Sequence, residues 1–546
     1  MILRQRRTVR IVRYCLDERT ERMITMEKLT VKMLAGEHWW GGSSSQGEYE
    51  PSDAESKHDY DMFWGSNQTM PLFLSDMGRY IWCDRPMKVH LEKGVFELFA
   101  PSEIILCEAG KTLRDAYLVA SRKHFPFSGK IPPQKFFTTA QYNTWMELDY
   151  NQTQEGVLRY ARGLIEHGYE PGVLMIDEGW HMRYGIWEFD TAKFPNPKAM
   201  VDELHAMGFT VMLWVVPAVT VDGKDFVIAC DPVRTHLSGG GGNKIHFLRT
   251  DSGDVAIVKW WNGYSAILNM CNEDDREFLD SKLRYLMETY GVDGFKFDGG
   301  NISMYNPENI VNGTQTRYTA DELNLAWNDF GTRYLYHEYK DTFKGGGKPV
   351  VQRLQDRNHK WNDHGLTSIL PAALLQGLIG HPFICPDMVG GGEWSFNYVP
   401  NFQCDQELFV RMAQCSALFP MIQYSWAPWR MLDEKHSTLC HEAAMLHKRY
   451  AAYIMELVNE SAVSGEPIVR HMEYECPHCG YEKITDQFFL GSDILVAPVM
   501  EQGQTVRRVV LPAGKWLYGG VTEYEGGKTV EVPAPIEALP YFVRLK

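Results

Sequence analysis

The sequence of 546 residues contains no run of 18 or more apolar residues, so it predicts no membrane span. An apolar segment of the kind that predicts a secretory signal is also missing near its start. Basic charge is scarce, because 55 lysines and arginines face 70 aspartates and glutamates, for a net charge of −15. Such a negative field repels nucleic acid. The one short basic cluster, at residues 4–13, is interpreted as a solvated tail.

A disulfide framework is not indicated either, because the 11 cysteines are scattered and odd in number. This favours reduced thiols and a cytoplasmic location. Cys476 and Cys479 form one Cys-x-x-Cys pair, which resembles half of a zinc ribbon or a redox pair. No second cysteine pair follows, so we interpret the segment as a reduced turn, with structural zinc left open as the alternative.

The length exceeds what one hydrophobic core normally supports and predicts two or more domains. Residues 1–130 contain short runs rich in β-branched and aromatic residues, separated by turn residues, which predicts an antiparallel β-sandwich. A similar pattern predicts a small β domain over residues 466–546.

Between them, at residues 131–465, short apolar strands alternate with helices. This pattern is typical of parallel βα units, and we predict an α/β fold of the (β/α)8 TIM-barrel type. We place strands at 137–145, 173–177, 210–216, 294–298, 349–354 and 383–387, counting 349–354 as the fifth. The alternation breaks at about 218–259, which holds a glycine run at 239–242. We interpret that segment as an insertion over one barrel mouth.

Active groups of such barrels lie at the carboxyl ends of the strands. Polar residues that end or follow the predicted strands are Asp177, Glu178, Lys296, Asp298, Arg353, Asp356 and Asp387. The tryptophans expected to line the same pocket are Trp145, Trp180, Trp214 and Trp261. A single aspartate at a strand end more often caps a helix or pairs with a lysine or arginine. Several such carboxylates together with nearby tryptophans favour a binding site.

Two carboxylates are the minimum for glycoside hydrolysis, since one attacks the anomeric carbon and the other protonates the leaving oxygen. The proton donor has to be neutral at the working pH. We therefore expect burial or a nearby negative charge to raise its pKa.

Several segments, in the same order along the chain, resemble glycoside hydrolase family 31. "DGFKFDGG" at 293–300 is similar to the nucleophile segment of that family, and "LQDRNHKW" at 354–361 to its acid/base segment. Further similar segments lie at 194–217, 374–392, 488–499 and 511–516. The resemblance implies a retaining α-glycosidase with a covalent glycosyl–enzyme intermediate, Asp298 as nucleophile and Asp356 as general acid/base. It also implies that no metal or organic cofactor is needed.

The resemblance further implies that Asp177 binds sugar hydroxyls and that Lys296 lines the pocket and helps keep Asp298 ionised. Glu178, Trp180, Trp214, Trp261 and Arg353 complete the expected substrate-binding set. Asp387 is interpreted equally well as a pocket wall or as a structural strand-end residue. Asp363 remains a rival for the role of acid/base, because the segment between the predicted fifth strand and Asp356 is short for the family.

Two departures from the α-glucosidase pattern bear on the sugar. Ser425 stands near the place where α-glucosidases carry a histidine, and residues 296–301 read "KFDGGN". Both features are closer to the branch that contains the myogenesis-regulating glycosidase and is similar to α-galactosidases. An α-galactoside is therefore favoured as substrate, with an α-glucoside or α-xyloside as alternatives.

Three hypotheses follow for the function. The first is a hydrolase acting on an oligosaccharide or glycoconjugate, and the second is a transglycosylase with the same two carboxylates. The third is a sugar-binding protein without catalysis, which is disfavoured because both candidate carboxylates are present. No nucleic acid or membrane partner is expected, and a homo-oligomer is left open.

Overall fold

The computed structural model describes residues 26–224, 226–227, 246–315 and 317–545. The basic cluster at 4–13 and the glycine run at 239–242 lie outside the described residues, as does part of the predicted insertion. Within the described residues, no helix is long and apolar enough to cross a membrane.

The N-terminal region consists of two β-sheets that share one hydrophobic core. Its strands are β1 (Glu27–Lys32), β2 (Trp39–Ser43), β3 (His58–Asp61), β4 (Gln68–Ser75), β5 (Arg79–Cys83), β6 (Lys88–Glu92), β7 (Val95–Ala100) and β8 (Ile104–Glu108). One sheet has the order β1-β7-β6-β3, and β4, β5, β8 and β2 belong to the other. Val31 and Phe96 from the first sheet pack in one cluster with Phe73 and Ile81 from the second. The predicted β-rich N-terminal region is thus confirmed.

A helix at Leu113–His124 follows, with a capping box between Thr112 and Asp115 at its start. The strands of the central region are β9 (Gln141–Asn143), β10 (Val173–Ile176), β11 (Thr210–Val215), β12 (Ala218–Thr220), β13 (Ile257–Trp260), β14 (Gly263–Ile267), β15 (Gly294–Phe297), β16 (Tyr336–Tyr339), β17 (Thr342–Phe343), β18 (Val351–Arg353), β19 (Ile384–Cys385), β20 (Met388–Val389) and β21 (Gln423–Tyr424). Its helices are Lys135–Thr138, Trp145–Leu148, Gln154–Glu166, Pro197–Ala206, Glu273–Tyr290, Ala320–Gly331, Ile369–Leu378, Gln406–Ala417, Pro428–Met431, Glu434–Arg449 and Ala451–Ser464.

Nine of these strands form one parallel sheet in the order β19-β18-β16-β15-β11-β10-β9-β21-β20. The two end strands, β19 and β20, are separated in sequence only by Pro386 and Asp387. They are therefore one interrupted strand, and the sheet closes on itself as an eight-stranded barrel. Strands β10 and β11 are buried at every residue, as expected for parallel strands that are covered on both faces.

Two of the strand predictions need correction. Residues 137–145 are not one strand, because β9 covers only Gln141–Asn143 and lies between two short helices. The predicted fifth strand at 349–354 is the sixth, because β16 precedes it. Strand β16 was missed because His337 and Glu338 make it look polar, although both side chains are buried.

Strands β12, β14 and β13 form a small antiparallel sheet that begins in the region predicted as an insertion, about 218–259, and extends beyond it to Ile267. The turn between β13 and β14 carries Trp261 and Asn262. Strand β17 leaves the barrel and pairs in parallel with β4 of the N-terminal region, with Thr342 opposite Gln68. The barrel and the N-terminal sheets are therefore joined by backbone hydrogen bonds next to the barrel mouth.

The C-terminal region is a small β domain, as predicted. Its strands are β22 (Val469–Arg470), β23 (Phe488–Leu490), β24 (Ile494–Val496), β25 (Val506–Leu511), β26 (Lys515–Tyr518), β27 (Thr522–Glu525), β28 (Lys528–Pro533) and β29 (Tyr541–Leu545). A short helix, Met472–Glu475, precedes the Cys-x-x-Cys pair, and both thiols are free. The described residues contain no cluster of three or more metal-binding side chains. The boundaries at 130 and 465 stay predictions.

Candidate active site

The carboxyl ends of the barrel strands bring a group of charged side chains to one mouth. Asp177 and Glu178 follow β10, Asp298 follows β15, Lys340 follows β16 and Asp356 lies after β18. The other polar members are Asn143, Lys296, Glu338, Arg353 and Asp387. The predicted strand-end residues therefore lie at the same edge of the barrel, as the topology of parallel strands requires.

Asp298 is 9% exposed and has a donor on each carboxylate oxygen. The indole N–H of Trp214 donates to Oδ2 at 3.0 Å, and the backbone N–H of Gly299 donates to Oδ1 at 2.8 Å. Burial alone raises the pKa of Asp298, but the charges of Lys340 and Lys296 with these two hydrogen bonds hold it below its ordinary value. Asp298 is thus an oriented, ionised carboxylate at neutral pH.

Asp356 is the most open of these carboxylates, with 24% of its side chain exposed. The ammonium of Lys340 donates to its Oδ2, and Nη1 of Arg353 donates to its Oδ1 at 2.8 Å. Burial raises the pKa of Asp356, yet Lys340 and Arg353 outweigh it and hold this pKa well below its ordinary value. The expectation of a raised pKa for Asp356 is therefore wrong, because two cations face this carboxylate.

The Lys340 ammonium links the two candidate catalytic carboxylates. It interacts with the charges of both Asp356 and Asp298, and these raise the pKa of Lys340 against the effect of its burial. Sequence reasoning missed Lys340 because its strand, β16, was not recognised. The only feature that could have indicated Lys340 is its position directly after a strand of four residues, β16, which contains the buried acid Glu338.

Arg353 is 1% exposed and is shared among three carboxylates. Besides Asp356 it contacts Asp387, and its Nε lies 3.7 Å from Oε1 of Glu338. Oδ2 of Asp387 accepts the backbone N–H groups of Arg357 at 2.7 Å and Gly392 at 3.1 Å. Protein donors thus reach both oxygens of Asp387, which favours its structural interpretation over a contact with sugar.

Asp177 and Lys296 form a closed pair beneath the pocket. Nζ of Lys296 lies 2.6 Å from Oδ2 of Asp177, and both side chains are 3% exposed. The side-chain amide of Asn143 donates to the same oxygen at 2.7 Å. The ammonium of Lys296 therefore has Asp177 as its direct partner and acts on Asp298 through its field.

Glu178 lies beside this pair and is held by Tyr184 and by Asn262 of the turn between β13 and β14. The hydroxyl of Tyr184 and the amide of Asn262 both donate to its Oε1. Burial, together with the charges of Asp298 and Asp177, raises the pKa of Glu178 to about 8. At neutral pH this side chain is mostly a neutral carboxylic acid, so it can donate a hydrogen bond as well as accept one.

The four tryptophans lie at different depths. Trp214 is 1% exposed and contacts Asp298, while Trp180 is fully buried and donates from its indole N–H to the backbone carbonyl of Trp214 at 2.8 Å. Trp180 lies under the pocket wall rather than at its surface. Trp145 is nearly buried, whereas Trp261 is 53% exposed and approaches the backbone at Gly299.

The rival acid, Asp363, is paired with Lys360 at 2.7 Å, and its side chain is 60% exposed. It lacks the contacts that connect Asp356 to the other carboxylates. Ser425 is fully buried, and its hydroxyl accepts the backbone N–H of Met146 at 2.7 Å. The Ser425 hydroxyl is thus engaged in a hydrogen bond within the protein.

The N-terminal region contacts the backbone of Lys340 and Arg353, the two cations that bind Asp356, and sequence reasoning missed this contact as well. The side-chain amide of Gln68 donates to the carbonyls of Lys340 at 2.7 Å and Arg353 at 2.9 Å. The backbone N–H of Asn67 donates to Asp341, the residue after Lys340. No local pattern in the sequence links residues so far apart along the chain.

Comparison with known families identifies the chain's class. Residues 130–456 match the model of the "Glycosyl hydrolases family 31 TIM-barrel domain", and residues 465–545 match the family 31 C-terminal domain. The chain belongs to glycosyl hydrolase family 31. The predicted family and the enzyme class that it implies, a glycoside hydrolase, are confirmed.

Individual relatives agree with this assignment. The family 31 chain is 28% identical to the myogenesis-regulating glycosidase of Mus musculus, over 93% of this chain and 74% of the relative. It is 25% identical to the 1,3-alpha-isomaltosidase of Kribbella flavida, over 73% of this chain but only 54% of that protein.

Solved structures share the fold. A dextranase of Flavobacterium johnsoniae in complex with glucose gives a TM-score of 0.79 at 17% identity, over 95% of this chain and 66% of the dextranase. An α-xylosidase from a soil metagenome in complex with xylose gives 0.76 at 20% identity, over 95% of this chain and 79% of that structure. The chain thus spans about half to three quarters of the length of these relatives.

Proposed function

We propose that this family 31 protein is a retaining α-glycosidase that hydrolyses terminal α-linked sugars of oligosaccharides or glycoconjugates. The observation that carries the proposal is the shared cation: Lys340 interacts with both Asp298 and Asp356 at the open mouth of the barrel. The Lys340 ammonium is bonded directly to Asp356 and acts on Asp298 through its charge, so both carboxylates belong to the same mouth of the barrel, and we propose that they flank a single sugar ring, as double displacement requires.

The contacts support a distinct role for each carboxylate. Asp298 is ionised and oriented by Trp214 and Gly299, so its free lone pairs can attack the anomeric carbon. Asp356 gives its proton to the leaving oxygen as the bond from C1 to that oxygen breaks. It then removes a proton from the water that cleaves the glycosyl ester of Asp298. Asp356 has to take up a proton before the first step, because Lys340 and Arg353 keep it ionised in the free site.

For the sugar, we favour an α-galactoside. Support comes from Ser425, which is buried and bonded to Met146, and which stands near the place where α-glucosidases carry a histidine. Glu178 adds a neutral carboxyl beside Asp298 that can contact a sugar hydroxyl. Cleavage rates for the nitrophenyl α-glycosides of galactose, glucose, xylose and N-acetylgalactosamine test this preference. Faster cleavage of the glucoside or xyloside would contradict it.

The roles of the carboxylates are tested by Asp298→Ala and Asp356→Ala. We expect Asp298→Ala to lower turnover of a nitrophenyl α-glycoside by several orders of magnitude, with partial rescue by azide. Asp356→Ala should impair substrates with poor leaving groups most, because these need the proton. Asp363→Ala is the matched control. If it shows the leaving-group dependence instead of Asp356→Ala, the acid/base assignment is wrong, and unchanged turnover in Asp298→Ala rejects the nucleophile.

A further inference from the structure

A second cavity lies beside the start of the helix Glu273–Tyr290, and we call it the arginine cavity after Arg249 and Arg317, which line it. Its described lining comes from three parts of the chain, at 246–250, at 269 and 272, and at 315 and 317–318. None of these residues forms a hydrogen bond or ion pair with Asp298 or Asp356. The volume of about 160 Å³ is several times the space of one water molecule, so the cavity has room for a small ligand.

The two arginines bring permanent positive charge to this cavity. Nη1 of Arg249 donates to the backbone carbonyl of Gly253 at 3.0 Å, and the guanidinium of Arg317 lies 5.3 Å from the ring centre of Tyr318. Neither guanidinium forms an ion pair with a carboxylate in the part of the chain that the structure describes. Each carries five N–H donors, and both side chains are exposed. Several charged donors are therefore available to a ligand.

Two asparagine amides add neutral donors. Asn269 is 5% exposed, and its Oδ1 accepts the backbone N–H of Cys271 at 3.1 Å, while its Nδ2 has no acceptor among the described residues. Oδ1 of Asn272 accepts the backbone N–H groups of Asp274 and Asp275 at the start of the helix, which leaves its amide N–H groups to the cavity. A buried donor without an acceptor is unfavourable. An oxygen atom of a ligand would satisfy it.

The acids at the start of the same helix already have partners. Asp274 pairs with His246 at 2.8 Å. The buried carboxylate of Asp275 accepts three backbone N–H groups, those of His246, Phe247 and Asn269. The described lining of the cavity contains no aspartate or glutamate, although the whole chain has a net charge of −15. The cavity therefore combines free donors with a local excess of positive charge.

We propose that the arginine cavity binds the oxyanion group of a small ligand, a carboxylate, sulfate or phosphate. Guanidinium groups fit such oxygens with paired N–H donors, and these charged hydrogen bonds are stronger than neutral ones. The amides of Asn269 and Asn272 bind the remaining oxygens. A neutral ligand would leave both arginines without a counterion. The site needs neither catalytic carboxylate, so the inference goes beyond the proposed function and does not depend on it.

The test measures binding of inorganic sulfate, glucuronate and glucose by calorimetry at low ionic strength. We expect Arg249→Ala and Arg317→Ala each to lower the affinity for the two anions by about tenfold, and to leave any binding of glucose unchanged. Arg159→Ala is the matched control, because this exposed arginine lies 3.8 Å from Glu155 on another helix. It should change neither affinity. Without ligand, the variants should unfold at the same temperature as the wild type, since both side chains are exposed.

Binding of sulfate and glucuronate would assign the cavity to an anionic group carried by a larger molecule, and binding of sulfate alone would assign it to a free inorganic ion. Either result supports the proposal. Failure of both anions to bind, or equal affinities in the wild type and the two arginine variants, would overturn it. An equal loss of glucose binding in Arg317→Ala would also overturn it, because the cavity would then recognise sugar hydroxyls.

A crystal soaked with selenate gives a readout that needs no variant. The anomalous signal of selenium is expected between Arg249 and Arg317. A signal found only beside Lys340 and Arg353 in the active site would contradict the proposal.

Discussion

Two ion pairs at the barrel mouth differ in how far water reaches them. Lys296 and Asp177 are each 3% exposed and 2.6 Å apart, whereas the side chains of Lys340 and Asp356 are 19% and 24% exposed. A buried pair stabilises the fold only while both partners are present, because a lone charge there is poorly solvated. A pair that water reaches, such as Lys340 and Asp356, can separate at a smaller cost in free energy. The closed pair therefore maintains the shape of the pocket, and the open pair is the one that can rearrange during reaction.

The largest effect on stability is expected from breaking the closed pair. Lys296→Met leaves Asp177 buried without its cation and should lower the free energy of unfolding by about 3–5 kcal/mol. Lys340→Met should cost clearly less, since water and Arg353 still reach Asp356. Denaturant unfolding of the two variants measures this difference.

A double variant provides the control for this comparison. Lys296→Met combined with Asp177→Asn removes both charges and should recover part of the loss, because no unpaired charge remains. If Lys340→Met is as damaging as Lys296→Met, exposure is not what distinguishes the two pairs.

The next largest effect is expected on the pH dependence of activity. The direction of the shift follows from the action of Lys340 on both carboxylates. The ammonium lowers the pKa of Asp356 and of Asp298, so Lys340→Met should raise both. On the basic limb, kcat/KM falls because Asp356 has to be protonated. On the acidic limb, it falls because Asp298 has to be ionised. Both limbs should thus move to higher pH, by about one unit.

A pH series of kcat/KM with one nitrophenyl glycoside measures these limbs. Lys348→Met is the matched control, because that lysine pairs with the exposed Asp329 outside the barrel mouth. It should leave both limbs in place. A downward shift in Lys340→Met, or a shift of equal size in the control, would contradict the role assigned to the open pair.

The two pairs also show what could be predicted from the sequence. Asp177, Lys296 and Asp298 were found because β10 and β15 are short strands that are apolar apart from Lys296, so their ends are visible in the sequence. Lys340 was missed because β16 contains two buried polar residues. The pKa of Asp356 was mispredicted for the same reason, since its main cation was unknown. Burial of a charge depends on partners that the local pattern does not contain.

The smallest effect expected comes from Gln68, which connects the N-terminal sheets to the open pair. Its amide donates to the carbonyls of both Lys340 and Arg353, and its Oε1 accepts the hydroxyl of Ser44 at 2.8 Å. Gln68→Leu removes these bonds without adding a charge. We expect the two cations to be less firmly held, which shifts the basic limb in the same direction as Lys340→Met but by only a few tenths of a unit.

Arg85→Ala separates this local effect from loosening of the N-terminal sheets. Arg85 bridges those sheets to the barrel through Asp321 at 2.9 Å. It should lower stability without moving the pH limbs, because it contacts neither cation. Gln68→Glu adds a charge beside the same carbonyls and should move the limb further than Gln68→Leu, since a carboxylate near the two cations weakens their action on Asp356. If Arg85→Ala shifts the limb as much as Gln68→Leu, the open pair responds to docking of the N-terminal sheets as a whole. Gln68 then has no separate positioning role.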